Sequence, residues 1–136
     1  PFEIITLIEA GIDIDIPEPH DSLEANATEK SSTIHRLTAK NCFSEDTGLE
    51  VEALNGEPGV KSARYAGEGR SFENNIDKLL QNLADKSNRA ARFKTVISLV
   101  LNDKEYFFEV KISGRHWLDH LKVWKPYRSY QKQWHK

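Results

Sequence analysis

The sequence predicts a single α/β domain in which helices flank a twisted, mixed sheet. Two segments, from about residue 22 to 38 and from about 71 to 86, have apolar residues at helical spacing. The segment from residue 89 to 112 is instead rich in β-branched and aromatic residues, which favours strands. A length of 136 residues fits one domain with one hydrophobic core.

Composition narrows the class of protein. The chain is 29% charged and 38% hydrophobic, which is typical of a globular domain in water. No apolar run approaches the roughly 20 residues of a membrane helix, and no signal peptide opens the chain, so a cytoplasmic protein is expected. The single cysteine, Cys42, excludes an internal disulfide framework and a CxxC metal site.

The first elements are extended. Residues 2–7 (FEIITL) read as a strand, and residues 11–16 (GIDIDI) alternate apolar and acidic residues as an exposed extended segment does. Pro17 and Pro19 then keep the intervening Glu18 out of helical backbone geometry. Taken alone, Glu18 is a solvated loop carboxylate held in a rigid backbone.

The first helix is predicted from about Leu23 to Thr38, with Asp21 and Ser22 as capping residues. Its thin apolar stripe consists of Leu23, Ala27, Ile34 and Leu37. By residue type alone, Lys30 and His35 are surface residues of this helix.

The stretch from Asn41 to Gly67 carries the residues best suited to chemistry. A short apolar run ends in Glu45 and Asp46, Thr47 and Gly48 follow, and residues 49–54 form a second β-like run. Adjacent acids are often only a solvated turn. At the carboxyl end of a strand, however, they suit a hard cation and a phosphate. Successive strand residues point to opposite faces, so we expect Asp46 to be the inner group and Glu45 to support it.

Two further side chains in this stretch could contact a substrate. Thr47 offers its hydroxyl or its backbone N–H, and Arg64 suits a phosphate or a carboxylate, although an ordinary surface salt bridge would explain Arg64 equally well. The glycines of the stretch form neither a P-loop nor a GxGxxG motif, so a kinase or a Rossmann enzyme is not supported.

The remaining elements are predicted to be structural. Ser71 caps an amphipathic helix that runs to Lys86, with a buried face of Phe72, Ile76, Leu79, Leu80 and Leu83. Residues 89–101 and 104–112 then form a β-hairpin around Asn102 and Asp103.

The words SEDTGLEVEALNGEPGV and SARYAGE resemble the signature of the inosine triphosphate pyrophosphatase family, also called dITP/XTP pyrophosphatases. The resemblance runs from about Asp15 to about Glu109. It implies an α/β fold in which a long sheet divides two lobes. An incomplete lobe would leave exposed sheet edges, which favour a homodimer. The implied reaction is Mg²⁺-dependent hydrolysis of ITP, dITP or XTP to the monophosphate and pyrophosphate.

The resemblance also implies the roles of individual residues. Glu18 and Asp46 would hold Mg²⁺, and Asp46 would also be the catalytic base. Thr47, Lys30 and Arg64 would bind the substrate, with Lys30, in an NA…K pattern that starts at Asn26, near the phosphates.

The chain departs from the family pattern at both ends. The family's N-terminal (S/T)xN…K phosphate loop and its GFGYDP-like base-binding loop do not occur here. We therefore divide the chain into a partial family domain, residues 1–110, in which one lobe is incomplete, and a tail, residues 111–136. The alternative to an active enzyme is a truncated, catalytically impaired member that folds or dimerises without turnover.

The tail differs from the domain in charge and composition. Residues 1–110 carry 12 Lys and Arg against 20 Asp and Glu, whereas residues 111–136 carry 7 against 1. Trp117, Leu121 and Trp124 would share one face of a short helix, and His116 and His120 lack a third metal ligand. A tail docked by its aromatic residues is the simplest interpretation, and binding to nucleic acid is not expected.

Overall fold

The computed structural model describes residues 3–114, which form an α/β domain as predicted. Within these residues, one four-stranded sheet is accompanied by two helices and two short 3₁₀ turns. The elements in chain order are α1 (Leu23–Thr38), β1 (Cys42–Val51), 3₁₀ turns at Glu52–Leu54 and Ser62–Arg64 on either side of β2 (Pro58–Gly59), α2 (Phe72–Asn82), β3 (Ala91–Leu101) and β4 (Lys104–Gly114).

The strands lie in the order β2-β1-β3-β4, and each neighbouring pair within residues 3–114 is antiparallel, so this part of the sheet is not mixed as predicted. The register places Asp46 of β1 opposite Val96 of β3, and Val96 opposite Glu109 of β4. Side chains alternate between the two faces of a strand, so these three residues share one face of the sheet.

Helix α1 packs on the face of the sheet that carries Asp46. Its N-terminus is capped by Ser22, whose hydroxyl accepts a hydrogen bond from Ala25 N–H at 3.1 Å. Leu23 and Ala27 pack against Val96 in a buried cluster. The predicted bounds of α1 are confirmed, but Leu37, predicted to be in its apolar stripe, is 58% exposed.

Helix α2 packs against the opposite face of the sheet. Ile76, Leu79 and Leu83 form a buried cluster with Leu49 and Val51 of β1. Its predicted cap is confirmed, because Ser71 accepts from Asn74 N–H at 3.3 Å.

The predicted C-terminal end of α2 was four residues too long, since the helix ends at Asn82. The N–H groups of Ala84 and Lys86 bond to carbonyls three residues back, which tightens the chain into turns. Phe72, predicted to be buried, is 39% exposed.

Two strand predictions were wrong. Residues 3–6 have no regular structure and residues 7–11 form a turn, because no other segment within residues 3–114 pairs with them. Glu45 and Asp46 do not end a strand either. β1 continues through Thr47 and Gly48, which pair with Thr95 and Lys94 of β3.

The hairpin of β3 and β4 is confirmed. Asn102 and Asp103 both have positive φ angles, 52° and 61°, as a two-residue type I′ turn requires. Neither helix within residues 3–114 is long and apolar enough to cross a membrane. The predictions for His116, Trp117, His120, Leu121 and Trp124 concern residues outside the described range.

His35 joins the end of α1 to this hairpin. Its Nδ1 lies 2.8 Å from the Lys40 carbonyl oxygen, and its Nε2 lies 3.0 Å from Asp103 Oδ1. The bond to the Lys40 carbonyl, reinforced by Asp103, raises the pKa of His35. A raised folded-state pKa stabilises the fold below the pKa of the unfolded chain, and this contribution is lost as pH rises through the folded-state pKa.

We therefore expect His35→Ala to destabilise the chain more at acidic pH than at alkaline pH. Urea unfolding of both proteins at intervals between about pH 5 and 8 measures the difference, because histidine changes charge in this range. Asp103→Asn, which keeps a hydrogen-bond acceptor and removes the charge, should reduce this pH dependence of the stability difference. A stability difference that does not vary with pH would contradict the assignment.

Candidate active site

Four of the five predicted site residues come together beside β1. Lys30 Nζ of α1 lies 3.0 Å from Glu18 Oε1 and 3.3 Å from Asp46 Oδ1, so one ammonium group joins both carboxylates. Arg64 is on the other side of Glu18: its Nη2 donates to the Glu18 carbonyl oxygen at 3.3 Å, and its Nη1 lies 4.0 Å from Glu18 Oε2. Two acids and two bases thus form one charge-balanced cluster.

Asp46 and Thr47 lie on opposite faces of β1. Asp46 points toward α1, where it meets Lys30. The Thr47 hydroxyl lies 2.8 Å from the Thr95 hydroxyl across the strand pair and donates to Glu45 Oε2 at 2.7 Å. The expectation that Glu45 and Asp46 diverge therefore holds, and the Thr47 hydroxyl lies away from the cluster.

The arrangement follows from short-range features of the sequence. Lys30 reaches the cluster from the second turn of a helix that Ser22 caps. Arg64 is placed by a 3₁₀ turn that is fastened to the sheet, because the Ser62 hydroxyl accepts from Leu49 N–H at 2.8 Å and donates to the Gly59 carbonyl at 2.5 Å. Glu18 comes from the proline-containing loop before α1.

Burial and the positive charge of Lys30 have opposite effects on the pKa of Asp46, whose side chain is 13% exposed. Burial raises the pKa of the Asp46 carboxyl, and the Glu18 charge raises it further. Lys30 and a hydrogen bond from Asn26 act in the opposite direction, and the net result is a raised pKa. A carboxylate with a raised pKa accepts a proton more readily, as a general base must.

The two carboxylates suit a divalent cation that is shared with a ligand. Glu18 and Asp46 direct oxygens at the same point, which an ammonium nitrogen occupies. Carboxylate oxygens are the ligands that hard cations prefer. Among residues 3–114 no group of three or more His, Cys, Asp or Glu could hold a metal. Mg²⁺ commonly takes one or two carboxylates and completes its shell with phosphate and water, so a pair of carboxylates is compatible with it.

Asn26 also belongs to the cluster, although the sequence identified it only as part of a pattern with Lys30. It is 1% exposed, and its Nδ2 lies 3.4 Å from Asp46 Oδ2. The four-residue spacing of Asn26 and Lys30 places both on one face of α1. That spacing was the available signal, but a polar residue at this position is ordinarily solvated.

Comparison with known proteins identifies the family to which this chain belongs. The model of the Ham1 family matches residues 1–118. The chain belongs to the Ham1 family. The predicted family is thereby confirmed, and the match extends beyond both ends of the segment in which the motifs were recognised.

Individual Ham1 relatives are similar over most of this chain. A protein of Flavobacterium psychrophilum named dITP/XTP pyrophosphatase is 51% identical over 107 residues, 79% of this chain and 56% of its own length. One of the same name from Porphyromonas gingivalis is 48% identical over 113 residues, covering 82% and 58%. The solved Ham1 protein of Staphylococcus aureus superposes with a TM-score of 0.77 at 42% identity, covering 83% and 59%.

These Ham1 comparisons confirm the α/β fold as well as the family. The chain spans a little over half the length of the relatives that it matches.

Proposed function

We propose that the chain is a nucleoside triphosphate pyrophosphatase that acts on the non-standard purine nucleotides ITP, dITP and XTP. Hydrolysis between the α- and β-phosphates gives the monophosphate and pyrophosphate. The observation that carries the proposal is the convergence of Glu18 and Asp46 on one cation position, with Lys30 and Arg64 beside them. The names of the relatives support the choice of substrate class.

The residues of the cluster would divide the work. Asp46, with its raised pKa, would accept the proton of the attacking water. Lys30 and Arg64 carry the positive charge that the phosphate oxygens need, and Arg64 offers planar, bidentate donors. Thr47 remains a proposed substrate contact, although its hydroxyl bonds to Glu45 and Thr95 in this structure.

We further propose that Glu18 and Asp46 hold Mg²⁺. Bound there, Mg²⁺ would neutralise charge on the phosphate oxygens as the bond to pyrophosphate breaks. In this structure the Lys30 ammonium occupies the point that both carboxylates share. A cation bound there would neutralise the carboxylates in its place, which would free Lys30 to bind the phosphates.

The direct test is the release of pyrophosphate by the full chain from ITP and from ATP, with and without Mg²⁺. We expect Mg²⁺-dependent release from ITP well above that from ATP. No release from ITP by a chain with a cooperative thermal transition would overturn the proposal. Release of orthophosphate would show that a different bond is cleaved.

Replacing Lys30 by Gln should lower kcat/KM for ITP by roughly 10- to 150-fold, mainly through a higher KM. The reason is the loss of a hydrogen bond to a charged group, worth about 1.5–3 kcal/mol. Steady-state kinetics at saturating Mg²⁺ measure the effect.

Lys94→Gln is the matched control for this change. Lys94 Nζ also joins two carboxylates, Glu24 of α1 at 2.6 Å and Glu109 of β4 at 3.1 Å. Neither carboxylate belongs to the cluster around Asp46. Loss of Lys94 should lower stability and leave KM unchanged. Equal KM changes in the two variants would assign Lys30 a structural role only.

Homodimerisation and cytoplasmic localisation stay predictions. One feature favours self-association: apolar side chains of β1 and β4 on the sheet face opposite α1 are about half exposed, namely Phe43, Tyr106, Phe108, Val110 and Ile112.

A further inference from the structure

Asn26 is a buried side chain whose three hydrogen bonds leave its own helix. The side chain is 1% exposed. Its Oδ1 accepts from His20 N–H at 3.0 Å, and its Nδ2 donates to the His20 carbonyl at 3.3 Å and to Asp46 Oδ2 at 3.4 Å. A primary amide has one acceptor oxygen and two N–H donors, so both ends of the group are used.

These bonds connect the two acids of the site. His20 follows Glu18 by two residues, and Asn26 holds both polar groups of the His20 backbone, as a paired strand would. The loop before α1 has no regular structure of its own. The anchorage at His20 therefore limits how far Glu18 can move from the sheet.

The same amide completes the environment of the Asp46 carboxylate. Lys30 contacts Oδ1, and Asn26 contacts Oδ2. With a donor on each oxygen, the plane of the carboxylate is set from one face of α1. A group that orients a ligating or reacting carboxylate in this way affects the site without touching the substrate.

We propose that Asn26 is a positioning residue, which orients Asp46 and anchors the loop that carries Glu18. The inference rests on the proposed pyrophosphatase function for its catalytic consequence, but its structural half can be tested without turnover. Loss of such supporting groups typically lowers activity or metal affinity by roughly 10- to 100-fold.

Ser31 provides the control for a purely structural effect. It is another fully buried polar residue of α1, and its hydroxyl lies 2.7 Å from the Ser98 hydroxyl and 3.2 Å from the Thr28 carbonyl oxygen. Ser31→Ala removes a buried hydrogen bond between α1 and the sheet, the one to Ser98, as Asn26→Ala removes the one to Asp46, but it leaves both site acids alone.

The first measurement is hydrogen exchange of the amide of His20 in the full chain without substrate. We expect exchange to accelerate in Asn26→Ala and to stay at the wild-type rate in Ser31→Ala. The second is calorimetric titration with Mg²⁺, for which we expect the affinity to fall roughly 10- to 100-fold in Asn26→Ala alone. The third is kcat for ITP, with a loss of the same order.

Asn26→Asp keeps the proposal testable if the alanine variant does not fold. It retains an acceptor for His20 N–H and loses the donor to Asp46, so protection of His20 should persist while kcat falls at least roughly tenfold. A folded Asn26→Asp with wild-type kcat, or a folded Asn26→Ala with wild-type exchange and Mg²⁺ affinity, would overturn the proposal. A wild-type chain without turnover would refute the pyrophosphatase function, and exchange and calorimetry would still decide the role of Asn26.

Discussion

Replacing Asp46 by Asn should lower pyrophosphate release from ITP by roughly 10²- to 10⁴-fold, the range that a positioned general base contributes. The amide is nearly isosteric with the carboxylate but cannot accept the proton of the attacking water. It also offers one oxygen instead of two to Lys30, Asn26 and a cation. Initial rates at several Mg²⁺ concentrations would show that added cation does not restore the rate.

The same Asp46 substitution should leave the fold stable. Burial raises the pKa of Asp46. When the folded-state pKa of an acid is raised, the folded protein loses stability as pH rises through that pKa, because the buried group must then carry a charge. At neutral pH the uncharged amide avoids this cost, although Lys30 loses one partner. We therefore expect the melting temperature of Asp46→Asn to equal or exceed that of the wild type.

The variant Glu45→Gln distinguishes the roles of the two adjacent acids, Glu45 and Asp46. It makes the same chemical change one residue away, at an exposed position on the opposite face of β1, where the Glu45 carboxylate bonds to Thr47. A much smaller loss of turnover is expected. Comparable losses at both positions would contradict the assignment of Asp46 as the single base.

Local signals in the sequence were sufficient for the elements that local interactions stabilise. Ser22 and Ser71 cap the helices where capping residues were expected, and the hairpin turns at Asn102 and Asp103 because both residues tolerate positive φ. These interactions span only a few residues, so they are visible in a short window of sequence.

The continuity of β1 could not be predicted in the same way. Thr47 and Gly48 read as a break, because glycine weakens an isolated strand. Pairing with Thr95 and Lys94 of β3 holds the chain extended instead, and these partners lie almost 50 residues further along the sequence. The same pairing decides where the Thr47 hydroxyl lies, because an uninterrupted strand places Thr47 on the face away from Asp46.

The site itself is assembled from contacts between distant segments. Glu18 and Lys30 are 12 residues apart, and Glu18 and Arg64 are 46 apart. Residue type and spacing alone made Glu18 and Lys30 solvated side chains and left Arg64 open between an anion contact and a surface salt bridge. Only the family resemblance grouped the three. Asn26 was not predicted as a site residue, because no feature of the neighbouring sequence distinguishes a buried helix asparagine from an exposed one.

Gly48 is the position at which the fold and the site depend on one missing side chain. A Cβ atom there would lie 2.5 Å from the Gly59 carbonyl oxygen and 2.8 Å from its carbon, with Leu23 Cδ2 at 3.3 Å. Backbone atoms of a paired strand cannot move aside as a flexible side chain can. Gly59 is fixed further by the hydroxyl of Ser62, which donates to its carbonyl.

Gly48→Ala should therefore destabilise the chain by about 1–3 kcal/mol, the cost of forcing extra atoms into a packed interior. Urea unfolding measures it. Gly69→Ala is the matched control, because a Cβ at Gly69 meets nothing within 4 Å and the backbone there has no positive φ. We expect that variant to stay within about 0.5 kcal/mol of the wild type. Equal stability of the two variants would contradict the close approach of β1 and β2.

The damage from Gly48→Ala should also reach the site. Displacing Gly59 displaces Ser62, and Ser62 fastens to β1 the turn that ends in Arg64. Measured well below its melting temperature, this variant should therefore show a higher KM for ITP. A destabilised variant with an unchanged KM would mean that Arg64 is held by its contacts with Glu18 rather than by the turn.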